Sequence, residues 1–255
     1  MDEGPFEELK VLQIGAEAVV RLVRWGGFLL VAKTRVPKPY RRPEVDLQVR
    51  TERTEKEARV MHRAKRSGVP CPAVVHLELS TSTIYMQYVV GEDLRSLLRR
   101  ADERARAVAR ALGNCVARLH SADLYHGDLV PSNVIVQSGR PYLIDFGLSG
   151  HSQDVEEHAT DYHLLDRSLR SGFPDLADVF MEAELPVVVG APEEPRLQLT
   201  NVLSFVVLQV DDLEPPCLLS TGSHDPLSHR VENQKTSSIV TPWKSSRLNS
   251  ISQPA

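Results

Sequence analysis

The sequence of 255 residues has little of what marks secreted, membrane or broadly nucleic-acid-binding proteins. Its three cysteines are odd in number and lack metal-ligand spacing, which argues against a disulfide framework and for reduced thiols inside a cell. No apolar run is long enough to cross a bilayer, and the acidic residues 1–8 lack the apolar core of a secretory signal. We therefore expect a protein of the nucleus and cytoplasm that does not bind membranes.

An excess of positive charge is also missing, since the formal net charge is -4. The whole chain therefore offers no general basic surface for nucleic acid. Residues 33–66 are locally rich in Lys and Arg, and for them a solvated helix face and an RNA contact both remain open.

The apolar and charged fractions, 42% and 25%, are those of an ordinary globular protein, and this length can bury a core in one large domain or two lobes. Residues 184–255 differ from the rest. They hold an isolated apolar run and then a stretch rich in Ser, Thr and Pro with little periodicity, which predicts a largely disordered tail.

Residues 125–149 carry the most specific pattern in the chain. Two apolar, strand-like runs flank a Ser-Gly-Arg-Pro turn, with Asn133 directly before the first run and Asp145 directly after the second. The predicted hairpin would present a carboxamide and a carboxylate at one point. Asp128 lies five residues before Asn133, in the segment His-Gly-Asp.

These three side chains have the chemistry of a phosphoryl-transfer site. Asp128 is the candidate catalytic carboxylate, able to accept or orient a hydroxyl proton, while Asn133 and Asp145 supply the hard oxygen ligands that Mg²⁺ prefers. A lone Asp-Phe-Gly or His-x-Asp recurs by chance, but here both occur in the order and spacing of a protein-kinase catalytic loop. The pattern predicts a kinase-like site for ATP and Mg²⁺.

The N-terminal part predicts the phosphate-binding side of that site. Residues 9–34 alternate as three strands, and the third ends at Lys33, in the place where kinases carry a Lys that neutralises the α- and β-phosphates. The loop between the first two strands, Gly15, Ala16 and Glu17, would cover the phosphates with backbone N–H groups. It lacks the two further glycines of the usual loop, and Glu17 is unfavourable there unless it bonds a basic partner.

A charged helix is predicted over residues 47–67, and it offers a carboxylate to hold Lys33 in place. Glu57 is preferred to Glu55 because it adjoins the apolar side of the helix, although a Glu on such a helix is more often solvated. Strands over 74–79 and 84–90 would then lead into a hinge.

The hinge is expected to read adenine with the backbone of residues 87–89, so Gln87 and Val89 are candidate nucleotide contacts. A helix over residues 102–122 has one apolar face and ends near His120, which, like His126, is expected to be structural. After Asp145-Phe146-Gly147 there is neither a long activation segment nor an Ala-Pro-Glu motif, which makes peptide phosphorylation doubtful as the main task.

The predicted fold class is α+β, a minimal bilobal protein-kinase-like fold. The expected parts are a small β-rich N-lobe over residues 1–90, a reduced helical C-lobe over 91–183 and the divergent tail over 184–255.

Several motifs together make the sequence resemble one kinase family. They are Gly-Ala-Glu-Ala in the loop, Arg-Thr-x-x-Glu-Ala in the helix, His-Gly-Asp-Leu-x-x-Ser-Asn, and Asp-Phe-Gly-Leu-Ser followed closely by a short helix beginning Asp-Tyr. This combination resembles the small atypical kinases of the KEOPS (EKC) complex, the PRPK family, over about residues 9–183. The strongly basic tail of that family is absent here.

The resemblance implies serine/threonine autophosphorylation, ATPase activity and support of the enzyme that makes N6-threonylcarbamoyladenosine in tRNA. It also implies partners: a small regulatory subunit on the N-lobe, the tRNA threonylcarbamoyl-transferase subunit on the C-lobe, tRNA through the complex, and protein substrates. The resemblance also implies that an acidic residue at this position of the loop, here Glu17, is typical of the family.

Two alternatives stay open. The chain could be a non-catalytic, partner-binding isoform that lacks the basic tail. It could also be a small-molecule phosphotransferase of the aminoglycoside or choline type, since those enzymes share a His-Gly-Asp element, although they carry a larger acidic substrate lobe.

Overall fold

The computed structural model describes residues 6–100, 104–178 and 180–181. Its N-terminal part is a five-stranded antiparallel sheet in the order β1-β2-β3-β5-β4. The strands of this sheet are β1 (Glu7–Ile14), β2 (Ala18–Trp25), β3 (Phe28–Arg35), β4 (Val74–Glu78) and β5 (Thr83–Gln87). The predicted three-strand meander is confirmed, with strand ends shifted by a few residues.

The hairpin between β2 and β3 shows why the meander forms. Trp25 pairs with Phe28, so the loop is only Gly26-Gly27, and both residues have positive φ, at 50° and 91°. A two-residue hairpin loop needs this backbone at both positions, and glycine adopts it without a Cβ penalty. The turn therefore fixes the register that places Lys33 opposite Val20 and Ile84.

Helix α1 (Pro43–Arg66) follows β3 and precedes β4 in the sequence, and it packs against the sheet. It begins four residues before the predicted start, because Pro43 occupies the first turn after an extended Arg42 and the acidic Glu44 and Asp46 favour a helix N-terminus. The helix stops just before Gly68, as predicted. Its buried face includes Glu57.

The rest of the described chain is mainly helical. Its elements are α2 (Leu94–Arg99), α3 (Ala105–His120), α4 (Val155–Gly172), the short strands β6 (Glu92–Asp93), β7 (Leu124–Tyr125) and β10 (Gly150–His151), and the hairpin β8 (Val134–Gln137) and β9 (Arg140–Leu143). The hairpin predicted around Ser138-Gly139 is confirmed, with Val134 paired to Leu143. Residues 174–178 and 180–181 are also helical.

The main core lies between the helices, strands β3 and β5 of the sheet, and the β8-β9 hairpin. The predicted apolar face of α3 is confirmed, and its buried members are Val108, Leu112, Cys115, Val116 and Leu119. A sheet with one helix followed by a helical region with a small hairpin is the predicted minimal kinase-like α+β architecture. Among the residues described, no helix has the length and apolar character needed to span a membrane.

Two further element boundaries differ from the prediction. Strand β5 ends at Gln87, where its pairing with Leu30 of β3 ends, so residues 88–90 leave the sheet earlier than expected. Helix α4 begins at Val155, ahead of the predicted Asp161, with Glu156 and Glu157 in its first turn. The predicted disorder of residues 184–255 lies outside the described residues.

Candidate active site

The buried ion pair of Lys33 and Glu57 forms the centre of the site. Lys33 Nζ on β3 lies 2.7 Å from Glu57 Oε1 on α1. Glu57 is buried, whereas Glu55 pairs with Arg59 on the helix surface. The structure thus joins the two side chains that the sequence proposed as partners.

Arg35 is a second cation on Glu57, and sequence reasoning missed it. Its guanidinium NH2 donates to Glu57 Oε2 at 2.5 Å, and its side chain is almost fully buried. Lys33 and Arg35 are two residues apart on one strand, so their side chains point to the same face of the sheet. The alternating Lys-Thr-Arg of β3 was the signal that could have identified this pair.

Asp145 reaches the same lysine from the other side. Its Oδ1 accepts a 2.6 Å hydrogen bond from Lys33 Nζ and a 3.2 Å bond from the Gly147 N–H. Burial alone would raise the pKa of Asp145, but the charge and hydrogen bond of Lys33 outweigh it and hold that pKa below its usual value. Burial would likewise lower the pKa of Lys33, and the charges of Glu57 and Asp145 raise it overall. Both groups are therefore charged at neutral pH.

Asp128 and Asn133 form the second half of the site. The Asn133 side-chain Nδ2 donates to both the backbone O and the Oδ2 of Asp128, each at 2.9 Å. Both bonds use the amide nitrogen, so neither of them uses Asn133 Oδ1, which is the atom that would bind a metal ion. The Ile144 N–H donates to Asn133 O at 2.9 Å and ties this pair to the strand that ends at Asp145.

His126 supports the catalytic loop in one defined tautomer. Its Nε2 donates to Ile144 O at 3.1 Å, while its Nδ1 accepts a 3.3 Å bond from the Asp128 N–H. His126 therefore holds Asp128 in place, which agrees with its predicted structural role.

Asp161 anchors the same loop from helix α4, and no role was predicted for it. Its fully buried carboxylate accepts hydrogen bonds from the backbone N–H groups of His126, at 2.8 Å, and Gly127, at 2.7 Å, and from His120 Nε2 at 2.9 Å. Burial would raise the pKa of Asp161, but the hydrogen bond and charge of His120, with the loop donors, lower it overall. An acid on the buried face of a helix, beside Tyr162, was the available signal.

Gly127 allows the Asp-Phe-Gly segment to lie against the loop. Its φ is 76°, and a Cβ at this position would stand 2.5 Å from Leu148 O. Only glycine meets both conditions without strain. The close approach places the segment after Asp145 directly over residues 126–128.

The structure answers the question raised by Glu17. Its carboxylate oxygens lie 2.6 Å from Lys38 Nζ and 2.8 Å from Arg53 NH1, so it has the basic partners that its position requires. The hydrogen bond from Lys38 is the main cause of its lowered pKa. Lys38 also donates to Ala16 O, and the Gly15 N–H donates to Ala18 O at 2.9 Å, which closes the loop into a tight turn.

The hinge residues differ in what they can offer a nucleotide. The Gln87 N–H already donates to Ala73 O at 2.8 Å, so this group is not available to adenine. Val89 is buried, and its backbone forms no hydrogen bond with another backbone group in the described part of the chain. Val89 is therefore the better candidate of the two.

The described residues place the predicted side chains in two linked groups: Lys33, Glu57 and Asp145 in one, Asp128 and Asn133 in the other. No hydrogen bond or ion pair within those residues joins the loop 15–17 or the hinge to them, so their nucleotide contacts stay a prediction. Two oxygen donors beside a charged lysine fit the chemistry of a Mg²⁺-bound polyphosphate.

Comparison with known proteins shows the family to which the chain belongs. A family model described as "RIO domain" matches residues 31–171, which includes both groups of side chains. The protein named "KEOPS complex subunit Bud32" from Pyrococcus abyssi is 39% identical over 171 residues, 64% of this chain and 77% of that protein. The "Probable serine/threonine-protein kinase BUD32 homolog" of Archaeoglobus fulgidus is 36% identical over 184 residues, covering 71% and 87% of the two chains.

A larger relative carries the same region as one part. The "Probable bifunctional tRNA threonylcarbamoyladenosine biosynthesis protein" of Methanoculleus marisnigri is 38% identical over 182 residues, 70% of this chain and 32% of that protein.

Among solved structures, the Rio2 kinase of Chaetomium thermophilum, in an ADP/Mg²⁺-phosphoaspartate complex, has a TM-score of 0.54 at 15% identity. The match covers 82% of this chain and 72% of that one and confirms the kinase-like fold. Because the family model spans more than half of the sequence and the archaeal relatives match over most of their length, the chain belongs to the RIO-domain kinases of the Bud32 type.

Proposed function

We propose that the chain is an ATP- and Mg²⁺-dependent atypical serine/threonine kinase with ATPase activity. We also propose that it supports N6-threonylcarbamoyladenosine formation on tRNA as a subunit of a KEOPS complex. The observation that carries the enzymatic proposal is Lys33 held between Glu57 and Asp145, at 2.7 and 2.6 Å. The names of the archaeal relatives support the proposed membership of a KEOPS complex and the proposed role in tRNA modification.

Each side chain has a role in this proposal. Lys33 binds the phosphates, and Glu57, which Arg35 holds in turn, fixes its position. Asp128 orients the attacking hydroxyl and takes up its proton. Asn133 and Asp145 would hold Mg²⁺, which neutralises the charge that develops on the phosphates.

The short segment after Asp145 limits which group can accept the γ-phosphate of ATP. Helix α4 begins at Val155, so only residues 148–154 separate it from the Asp-Phe-Gly element. A segment of this length leaves little chain to dock a peptide beside Asp128. It favours water, and serine or threonine hydroxyls that partners present to the site, as acceptors.

The assembly follows the family resemblance. We place a small regulatory subunit on the N-lobe and the tRNA threonylcarbamoyl-transferase subunit on the C-lobe. The location in nucleus and cytoplasm is also part of the proposal.

Metal removal tests the enzymatic proposal. The purified chain is expected to release or transfer the γ-phosphate of ATP with Mg²⁺ and to lose this activity in EDTA, because Asn133 and Asp145 are metal ligands in the proposal. The readout is labelled phosphate and labelled protein from γ-labelled ATP. Folded protein without turnover in Mg²⁺ would favour the non-catalytic alternative.

A further inference from the structure

Helix α3 carries an unusual distribution of charge. Its sequence from Ala105 to His120 contains no acidic residue. Arg106, Arg110 and Arg118 are exposed on it, and we call these three the arginine stripe. Asn114, also exposed, occupies the position between the second and third. Side chains four residues apart on a helix lie roughly 6 Å apart along its axis, so the stripe is a regular row.

Within residues 6–100, 104–178 and 180–181, no acidic side chain pairs with an arginine of the stripe. Arg106 and Arg110 make no ion pair or hydrogen bond to any described residue, and Arg118 donates only to the neutral backbone O of Gly68, at 3.2 Å. By contrast, Arg59 on α1 pairs with Glu55, and Arg170 on α4 pairs with Asp166. The stripe therefore keeps a positive field available for an anionic partner.

A groove with both polar and apolar lining residues extends the stripe toward helix α1. It has a volume of about 390 Å³ and lies where the end of α1 meets α3, with the lining residues Ser67, Asn114, Ala117, Arg118, Ser121 and Ala122. The last turn of α1 adds Arg63 and Arg66, both exposed. Amide and hydroxyl groups thus lie beside the guanidinium groups.

The surface lacks what a protein partner would need. The exposed large apolar side chains of the described chain lie elsewhere, and none is on α3. Protein interfaces have an apolar or aromatic core, with charged groups at the rim. Phosphates, in contrast, are bound by arginine forks and small polar groups without any apolar contact.

We propose that the arginine stripe and its groove bind the phosphate backbone of RNA. The proposal deepens the proposed function, on which it rests for the identity of the nucleic acid, by placing a direct RNA contact on this subunit. Within residues 33–66, Lys33, Arg35 and Arg53 pair with acidic side chains of the protein itself.

RNA binding of the full chain tests the proposal. The probe is an unmodified tRNA transcript, and the affinity is measured at several salt concentrations for the parent and for Arg106→Ala/Arg110→Ala. Each lost phosphate contact reduces the slope of log K against log salt by about 0.7 to 0.9. We therefore expect the slope of the double variant to fall by roughly 1.5, with weaker binding at low salt.

The matched control is Arg59→Ala/Arg170→Ala, which removes the same charge from helix positions where each arginine already has an acidic partner. This control should keep the parent slope. Equal weakening of both double variants, an unchanged slope in Arg106→Ala/Arg110→Ala, or no RNA binding by the parent would overturn the proposal. Displacement of the RNA by poly-glutamate at equal charge would overturn it in favour of an acidic protein partner.

An ATP turnover assay of the same variants tests the proposed enzymatic function independently of RNA binding. Arg106 and Arg110 lie outside the active site, so their replacement should leave Mg²⁺-dependent turnover unchanged. RNA binding without any turnover would contradict the enzyme and leave the RNA surface standing.

Discussion

Replacing Asp145 with alanine is expected to lower ATP turnover by at least about 10²- to 10³-fold, the range seen when one electrostatic contact to the transition state is removed. Two effects combine in this variant. The proposed metal ligand is lost, and Lys33 loses the carboxylate that lies 2.6 Å from its Nζ. Since Glu57 is buried and holds the same lysine at 2.7 Å, the fold should remain.

The comparison needs a variant that removes a similar charge away from the site. Asp175→Ala serves this purpose because Asp175 is exposed and the site lies elsewhere in the chain. Phosphate release is measured for both variants and the parent. Turnover by Asp145→Ala within about threefold of the control would rule out the assigned site, because such a difference is under 1 kcal/mol of barrier.

Replacing Asp161 with alanine is expected to destabilise the protein by about 3 to 5 kcal/mol, the usual cost of breaking a buried charged network. The two backbone N–H groups of residues 126 and 127 and the ring of His120 would lose their acceptor. For a chain of this size the loss corresponds to a fall in melting temperature of roughly 6 to 20 °C. Turnover should fall as well, because the loop that holds Asp128 loses its anchor.

Asp166→Ala is the matched control on the same helix, since it removes only a surface pair with Arg170. Its effect should stay below about 1 kcal/mol. Equal melting temperatures for Asp161→Ala and Asp166→Ala would show that the buried carboxylate does not hold the loop.

The stabilisation by Asp161 should also depend on pH. Its pKa is lower in the folded protein than in the unfolded chain, so the folded state gains stability above the unfolded pKa of about 4. That gain is lost as the pH falls through the folded value. The difference in melting temperature between the parent and Asp161→Asn should therefore be constant from about pH 5 upward and shrink below about pH 4.

The sequence could predict those parts of the site that rest on local spacing. Asn133 and Asp145 flank the β8-β9 hairpin, whose pairing of Val134 with Leu143 places both residues at the same end of it. The glycine turn before Phe28 sets the register of Lys33. Glu57 was chosen from the apolar side of its helix, and it is buried in the structure. In each case the local spacing of residues in the sequence was sufficient for the prediction.

The features that were missed depend on contacts between distant segments. Arg35 meets Glu57 only after β3 packs on α1, and Asp161 reaches the catalytic loop across 35 residues of sequence. The N–H of Gln87 is occupied because residue 73 lies alongside the end of β5. No local pattern encodes such pairings, because the chain between the partners decides how they meet.

The most direct test of a Mg²⁺-nucleotide site in this protein is a thermal melt of the full chain with and without Mg-ATP. A ligand at about 100 times its Kd stabilises the folded state by about 2.7 kcal/mol, which corresponds to a rise of roughly 5 to 10 °C. We predict such a rise with Mg-ATP and its loss in Asp145→Ala. A cooperative melt of the parent that does not shift with Mg-ATP would contradict the site and leave a protein that only binds partners.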